Sequence, residues 1–203
     1  MRRPSIFTAL TEPPLLTGNK VTLRPKRLQD AANDYSWRQD LELCHLDAAP
    51  PILCSFKEFL ENYLEDLHRV NRSYRFAIET TDGIHIGNCS YFNLDEDKKE
   101  AEMGIMIGDR AYWNRGYGAD TIITSLNYFF SRAKLKRVHL KTLLWNIRAQ
   151  KCFHKCGFIP FGQVVHGDYT FMLMETQCPQ KSKKWNGTLI RNKTNIQKPV
   201  SGR

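Results

Sequence analysis

The run Arg115-Gly116-Tyr117-Gly118-Ala119-Asp120 lies between a β-rich apolar stretch and an amphipathic helix, and that placement constrains the chain more than any other feature. Upstream, Glu102-Met103-Gly104-Ile105-Met106-Ile107-Gly108 reads as a strand. Downstream, Ile122, Ile123, Leu126, Phe129 and Phe130 recur at helical spacing. Two glycines at such a junction permit a tight turn that brings several main-chain N–H groups close to a ligand. The helix behind it adds about half a positive charge of dipole at the same spot. Together these features make a pyrophosphate cradle. Taken alone, the glycines would suit an ordinary strand-to-helix turn equally well.

A chain of 203 residues fits one domain with a sizeable core. Its hydrophobic and charged fractions, 41% and 25%, are those of a soluble globular protein. No apolar run approaches the roughly 18 residues of a membrane span. Pro4, Ser5, Glu12, Pro13 and Pro14 break any apolar stretch behind Met1-Arg2-Arg3, so no secretory leader is expected and the location read from sequence is cytoplasmic. Six cysteines without a C-x-x-C pair suggest neither a zinc site nor a disulfide framework. The net charge of +9 is uneven: seven basic residues and no acidic ones follow Cys178. That tail is expected to be disordered, and nucleic acid is expected to touch the protein only there, by electrostatics. The divisions read from sequence are a flexible segment at 1–15, a domain at 16–177 and the basic tail at 178–203.

Along the domain, Val21 to Arg24 alternates like a first strand, and helical segments follow near Leu28 to Arg38 and from Ser55 onward. Ser55-Phe56-Lys57-Glu58 is a capping box, and Asp47-Ala48-Ala49-Pro50-Pro51 is a loop. Tyr74 to Glu79 and His85 to Phe92 form a hairpin about Asp82-Gly83. After the glycine turn and its long helix come a strand from Arg137 to Leu144 and a short helix from Ile147 to Lys155, stopped by Gly157. Two last strands flank His166-Gly167-Asp168. This order predicts an α/β or α+β mixed sheet.

Two ordered motifs resemble the GNAT superfamily of N-acetyltransferases. Arg115, Gly118 and Asp120 occupy the fixed places of its Arg/Gln-x-x-Gly-x-Gly/Ala motif, Asp120 replacing the usual small residue. Asn146-Ile147-Arg148-Ala149-Gln150-Lys151-Cys152-Phe153, then Lys155, Gly157 and Phe158, resemble its N-x-x-A-x-x-x-Y/F-x-K-x-G-F segment. The R-G-Y-G-x-D form is similar to the branch that acetylates ribosomal-protein N-termini. The resemblance implies one domain of about seven strands and four helices, with acetyl-CoA as cosubstrate.

It also implies a division of labour. The N–H groups of Arg115, Gly116, Tyr117, Gly118, Ala119 and Asp120 would bind pyrophosphate. Pantetheine would lie between parted strands, against Ile105, Met106 and Ile107, with an N–H near Ile105 facing the thioester carbonyl. Asn146 would contact the cofactor or a water, and Glu102 would act as base or amine anchor. Phe153 stands where many relatives carry an acidic tyrosine, so no general acid is assigned and Phe153 is read as packing against cofactor or core. The acceptor is a primary amine, on a protein N-terminus or ribosomal protein, with a polyamine, an amino acid or an aminocyclitol antibiotic left open. A non-catalytic acyl-CoA-binding module is the competing reading. A homodimer is left open.

Overall fold

The computed structural model describes residues 13–69 and 73–179. Most of the anticipated N-terminal segment and basic tail therefore lies outside the described residues. Among the described residues eight strands form one sheet: β1 (Leu16–Thr17), β2 (Val21–Pro25), β3 (Tyr74–Thr80), β4 (His85–Asp95), β5 (Glu100–Ile107), β6 (Arg137–Leu143), β7 (Ile159–His166) and β8 (Tyr169–Gln177). The α-helices among the described residues are α1 (Ala31–Gln39), α2 (Leu41–Leu46), α3 (Phe56–His68), α4 (Tyr117–Ser131) and α5 (Ile147–Lys155). The sheet order is β1-β2-β3-β4-β5-β6-β8-β7, and only β5 and β6 run parallel, joined by the crossover through α4.

Two elements exceed the expected seven strands and four helices. β1 is two residues long, too short to carry an alternating pattern. The other is α2, a separate helix because the backbone at Asp40 is extended (ψ 116°) while its carboxylate accepts the Leu43 N–H at 3.0 Å. Asp40 thus ends one helix and caps the next. The capping box at α3 is present, with Glu58 accepting the Ser55 N–H at 2.8 Å and Ser55 Oγ accepting the Glu58 N–H at 3.3 Å.

One sheet face packs on α4. Ile122, Leu126 and Phe129 are fully buried against Leu23, Phe76, Ile78 and Tyr91. Phe129 stacks on Tyr91 at 3.8 Å, and Tyr91 donates its hydroxyl to Ser125 Oγ at 2.8 Å. Each such side chain contributes about 1.5–3 kcal/mol by leaving water, so the amphipathic stripe holds the glycine turn against the sheet.

On the opposite face, polar pairs join the N-terminal helices to β2 and β4. Arg24 forms a two-pronged pair with Asp30 at 2.7 Å, and Lys26 reaches both Asp34 and Asn88. At Gly87 in β4 an added Cβ would lie 2.1 Å from the Met106 carbonyl oxygen, which is backbone and cannot swing aside. Gly87→Ala is expected to destabilise the protein by about 2 kcal/mol or more through strand displacement, read as a lowered Tm in thermal unfolding.

Candidate active site

β5 and β6 pair only at Glu100–Arg137, Ala101–Val138 and Glu102–His139. Beyond these residues they part, although β5 keeps its partner β4 as far as Ile107 and β6 keeps β8 as far as Leu143. Alternate N–H and C=O groups of both strands therefore face a gap without a ladder partner. The gap opens at the carboxyl ends of the parallel pair, where open α/β sheets receive ligands.

The glycine turn sits at that opening. Asn114 and Gly116 have φ of 60° and 87°, and Gly116, which no side chain caps, leads into α4. The first intrahelical bond found there runs from the Asp120 N–H to the Gly116 carbonyl at 3.0 Å. The preceding amides of Tyr117, Gly118 and Ala119 have no partner within the helix and are the donors available to an anion. A Cβ on Gly118 would stand 3.7 Å from Cys152 Sγ and 3.8 Å from Ile107 Cγ1, so this glycine marks where α4, α5 and β5 meet.

A cleft of about 420 Å³ follows the gap. Ile105, Met106, Ile107, Gly116, Tyr117, Gly118, Ala119, Asn146 and Phe153, all singled out from sequence, line it. Phe153 also packs edge-on against Phe158 at 5.9 Å, so it serves wall and core together. Asn146 caps α5 by accepting the Ala149 N–H at 3.1 Å.

Three sequence candidates lie elsewhere. Arg115 is exposed, and its carbonyl accepts from Lys20 Nζ at 3.0 Å. The Asp120 carboxylate is buried and accepts the main-chain N–H groups of Lys20 (2.7 Å) and Val21 (3.2 Å), holding the β1–β2 connection. Its own amide is spent inside α4, which explains how an acidic residue fits beside an anion cradle. Glu102 is outside the cleft wall, accepting from Asn93 Nδ2 at 2.9 Å with Lys141 Nζ at 4.0 Å.

Other parts of the wall were not assigned from sequence. Arg148, Lys151 and Lys155 share one side of α5 and make that wall cationic. Their spacing of three and four was a legible signal. The Arg148 guanidinium lies 3.6 Å from the Trp113 ring centre, and Trp113 Nε1 donates to the Ile107 carbonyl at 2.6 Å. The Cys152 thiol, also on this wall, is pushed down by its hydrogen bond with Cys156, while that bond and burial push Cys156 up. Leu43 and Leu46 of α2, with Asp47 just after it, also line the cleft.

A family model described as an acetyltransferase (GNAT) domain matches residues 20–159. The chain belongs to the GNAT acetyltransferase family. Membership makes it an acyltransferase with acetyl-CoA as cosubstrate, and the parted strands, free helix amides and cationic α5 wall suit that molecule. Among similar proteins, an uncharacterized N-acetyltransferase p20 of Bacillus licheniformis is 25% identical over 142 residues, covering 68% of this chain and 79% of the relative. Spermidine N-acetyltransferase of Vibrio cholerae, solved with CoA and spermine, superposes with a TM-score of 0.69 at 22% identity, covering 78% of this chain and 95% of the other. Mycobacterium smegmatis RimJ, solved with CoA-disulfide, gives 0.68 at 17% identity, with 85% and 91% covered. Among the described residues no helix is long and apolar enough to cross a membrane.

Proposed function

We propose that this acetyltransferase acetylates a primary amine, with a protein N-terminus as the leading acceptor. The observation that carries the reading is the parting of β5 from β6 directly below the uncapped amides of α4. The Tyr117, Gly118 and Ala119 N–H groups would hold the diphosphate, aided by Lys151 and Lys155, and Ile105 to Ile107 would align the acyl arm along β5. Fixing two reactants in this way lowers a barrier by several kcal/mol. A free N–H near Ile105 would stabilise negative charge on the carbonyl oxygen. A coenzyme thiol, with a reference pKa near 8.5, departs tolerably as thiolate, so Phe153 need not be replaced by an acid.

Support for a protein N-terminus comes from the R-G-Y-G-x-D form of the turn. A polyamine is the second reading, favoured by the superposition on spermidine N-acetyltransferase. Incubating the protein with acetyl-CoA and either N-terminal peptides, spermidine or an aminoglycoside, and measuring released CoA, tests both. Peptide-stimulated release is expected. Release with spermidine alone would overturn the leading acceptor, and tight CoA binding without release under any amine would favour a non-catalytic binder.

A further inference from the structure

We infer that Asp47 is the catalytic carboxylate that receives the acceptor's ammonium group in the cleft and takes its proton. The inference rests on the acetyl-transfer reading above and names the group that prepares the nucleophile.

Asp47 is the only acidic residue among the described residues that line the cleft; the other charged ones are Arg148, Lys151 and Lys155 on α5. The α5 side chains therefore suit a phosphorylated ligand and Asp47 a cation. The carboxylate is carried by a braced element. Arg110, just beyond β5, donates to Asp40 at 2.7 Å and to Glu42 at 2.8 Å, tying the start of α2 to one side of the gap. His45, near the end of α2, stacks on Trp145 just beyond β6, with ring centres 4.5 Å apart and planes within 18°. Thus α2 spans from the end of one parted strand to the end of the other and sets Asp47 over the interval.

The local chemistry at Asp47 is poor for stability and good for proton transfer. It ends a helix, where main-chain carbonyls disfavour an added negative charge. Ala48 behind it has a φ of 51°, uncommon for a residue with a side chain. Its ion pair with Arg38 is loose, 3.6 Å between partly exposed groups, and can open to admit an ammonium. The Asp47 side chain keeps 57% of its surface open to solvent, so an incoming ammonium can reach it from the cleft. Arg38 on α1 is the charged group paired with it, and the other charged or titratable groups of the cleft are Tyr112 and Tyr117 by the turn and Arg148, Lys151, Cys152 and Lys155 on α5. Glu102 lacks this setting, being outside the wall and already bonded to Asn93.

In the step, the ammonium gives one proton to the Asp47 carboxylate and the freed nitrogen lone pair forms the C–N bond with the acetyl carbon. The C–S bond breaks, its electron pair leaving on sulfur. The nitrogen's surplus proton passes to the thiolate, and Asp47 returns its own to water.

The test compares Asp47→Asn, Asp47→Glu and Glu102→Gln in the full chain, using whichever amine supports turnover, from pH 6 to 9. Asp47→Asn is expected to leave Tm and the CoA Kd unchanged and to lower kcat/KM for the amine about 100-fold at pH 7. The deficit should shrink as rising pH supplies neutral amine. Asp47→Glu should restore part of the rate, and Glu102→Gln should stay within threefold of the parent. A fully active Asp47→Asn protein, a pH-independent deficit, or the loss falling on Glu102→Gln instead would overturn the assignment. A parent protein with no affinity for CoA would overturn the acetyl-transfer reading itself and Asp47's role with it.

Discussion

Gly118→Trp is expected to raise the CoA Kd by at least 100-fold, about 2.7 kcal/mol, while leaving a folded protein. The reason is geometric. Gly118 faces the meeting of α4, α5 and β5, with Cys152 Sγ and Ile107 Cγ1 at ordinary contact distance from where its Cβ would stand. An indole placed there is expected to fill the neighbouring cleft and crowd the amides of Tyr117 and Ala119. Gly118→Ala separates ligand approach from folding. A methyl group fits the unliganded site without a clash, and alanine in a helix is favoured over glycine by up to about 1 kcal/mol. The alanine variant should therefore be as stable as the parent or more so, yet bind CoA less tightly. Calorimetry alongside thermal unfolding reads both quantities. Tryptophan and parent proteins of equal affinity would remove the diphosphate from this turn.

Asp120→Ala is expected to cost about 3 kcal/mol of folding stability, lowering Tm by about 6–12 °C for a chain of this size. The alanine would leave the Val21 amide, in a buried bond, and the Lys20 amide, in a partly buried one, without their acceptor. Gly18 is pressed against the same carboxylate, 2.5 Å from Oδ2 for an added Cβ, so the connection cannot close over the lost group without rearranging. Asp120→Asn keeps one oxygen for the two amides and gives up mainly the 3.4 Å contact from Asn19, so about 1 kcal/mol is expected. Where both variants remain folded, their CoA affinity should match the parent's. A selective loss of affinity without loss of stability would return Asp120 to the ligand site.

These two neighbours show how far sequence reading reaches. Gly118 was legible as a glycine at a strand-to-helix turn, and it lines the cleft, because the reason is local: a strand, a turn and a helix start that any chain with this run would form. Asp120 belongs to the same six residues, but its carboxylate answers to amides about one hundred positions upstream, and no local pattern reports them. Asp40 shows a smaller gap. The sequence predicts one helix over Leu28 to Arg38 without singling out Asp40, and only the observed break in the backbone separates α1 from α2.

The residues by themselves determined the capping box, the hairpin turn at Gly83, the amphipathic α4 and the glycine junction, because each depends on torsional preference and period within a dozen positions. Three features were decided only by the tertiary structure. One is where β5 leaves β6, set by β5 staying with β4 while β6 stays with β8. Another is the bracing of α2 by Arg110 on one side and Trp145 on the other. The last is the gathering, along one cleft, of the cationic α5 side chains and Asp47, the one acidic lining residue among the described residues. Each joins segments tens of residues apart, and such contacts form only when burial of the shared core brings the segments together.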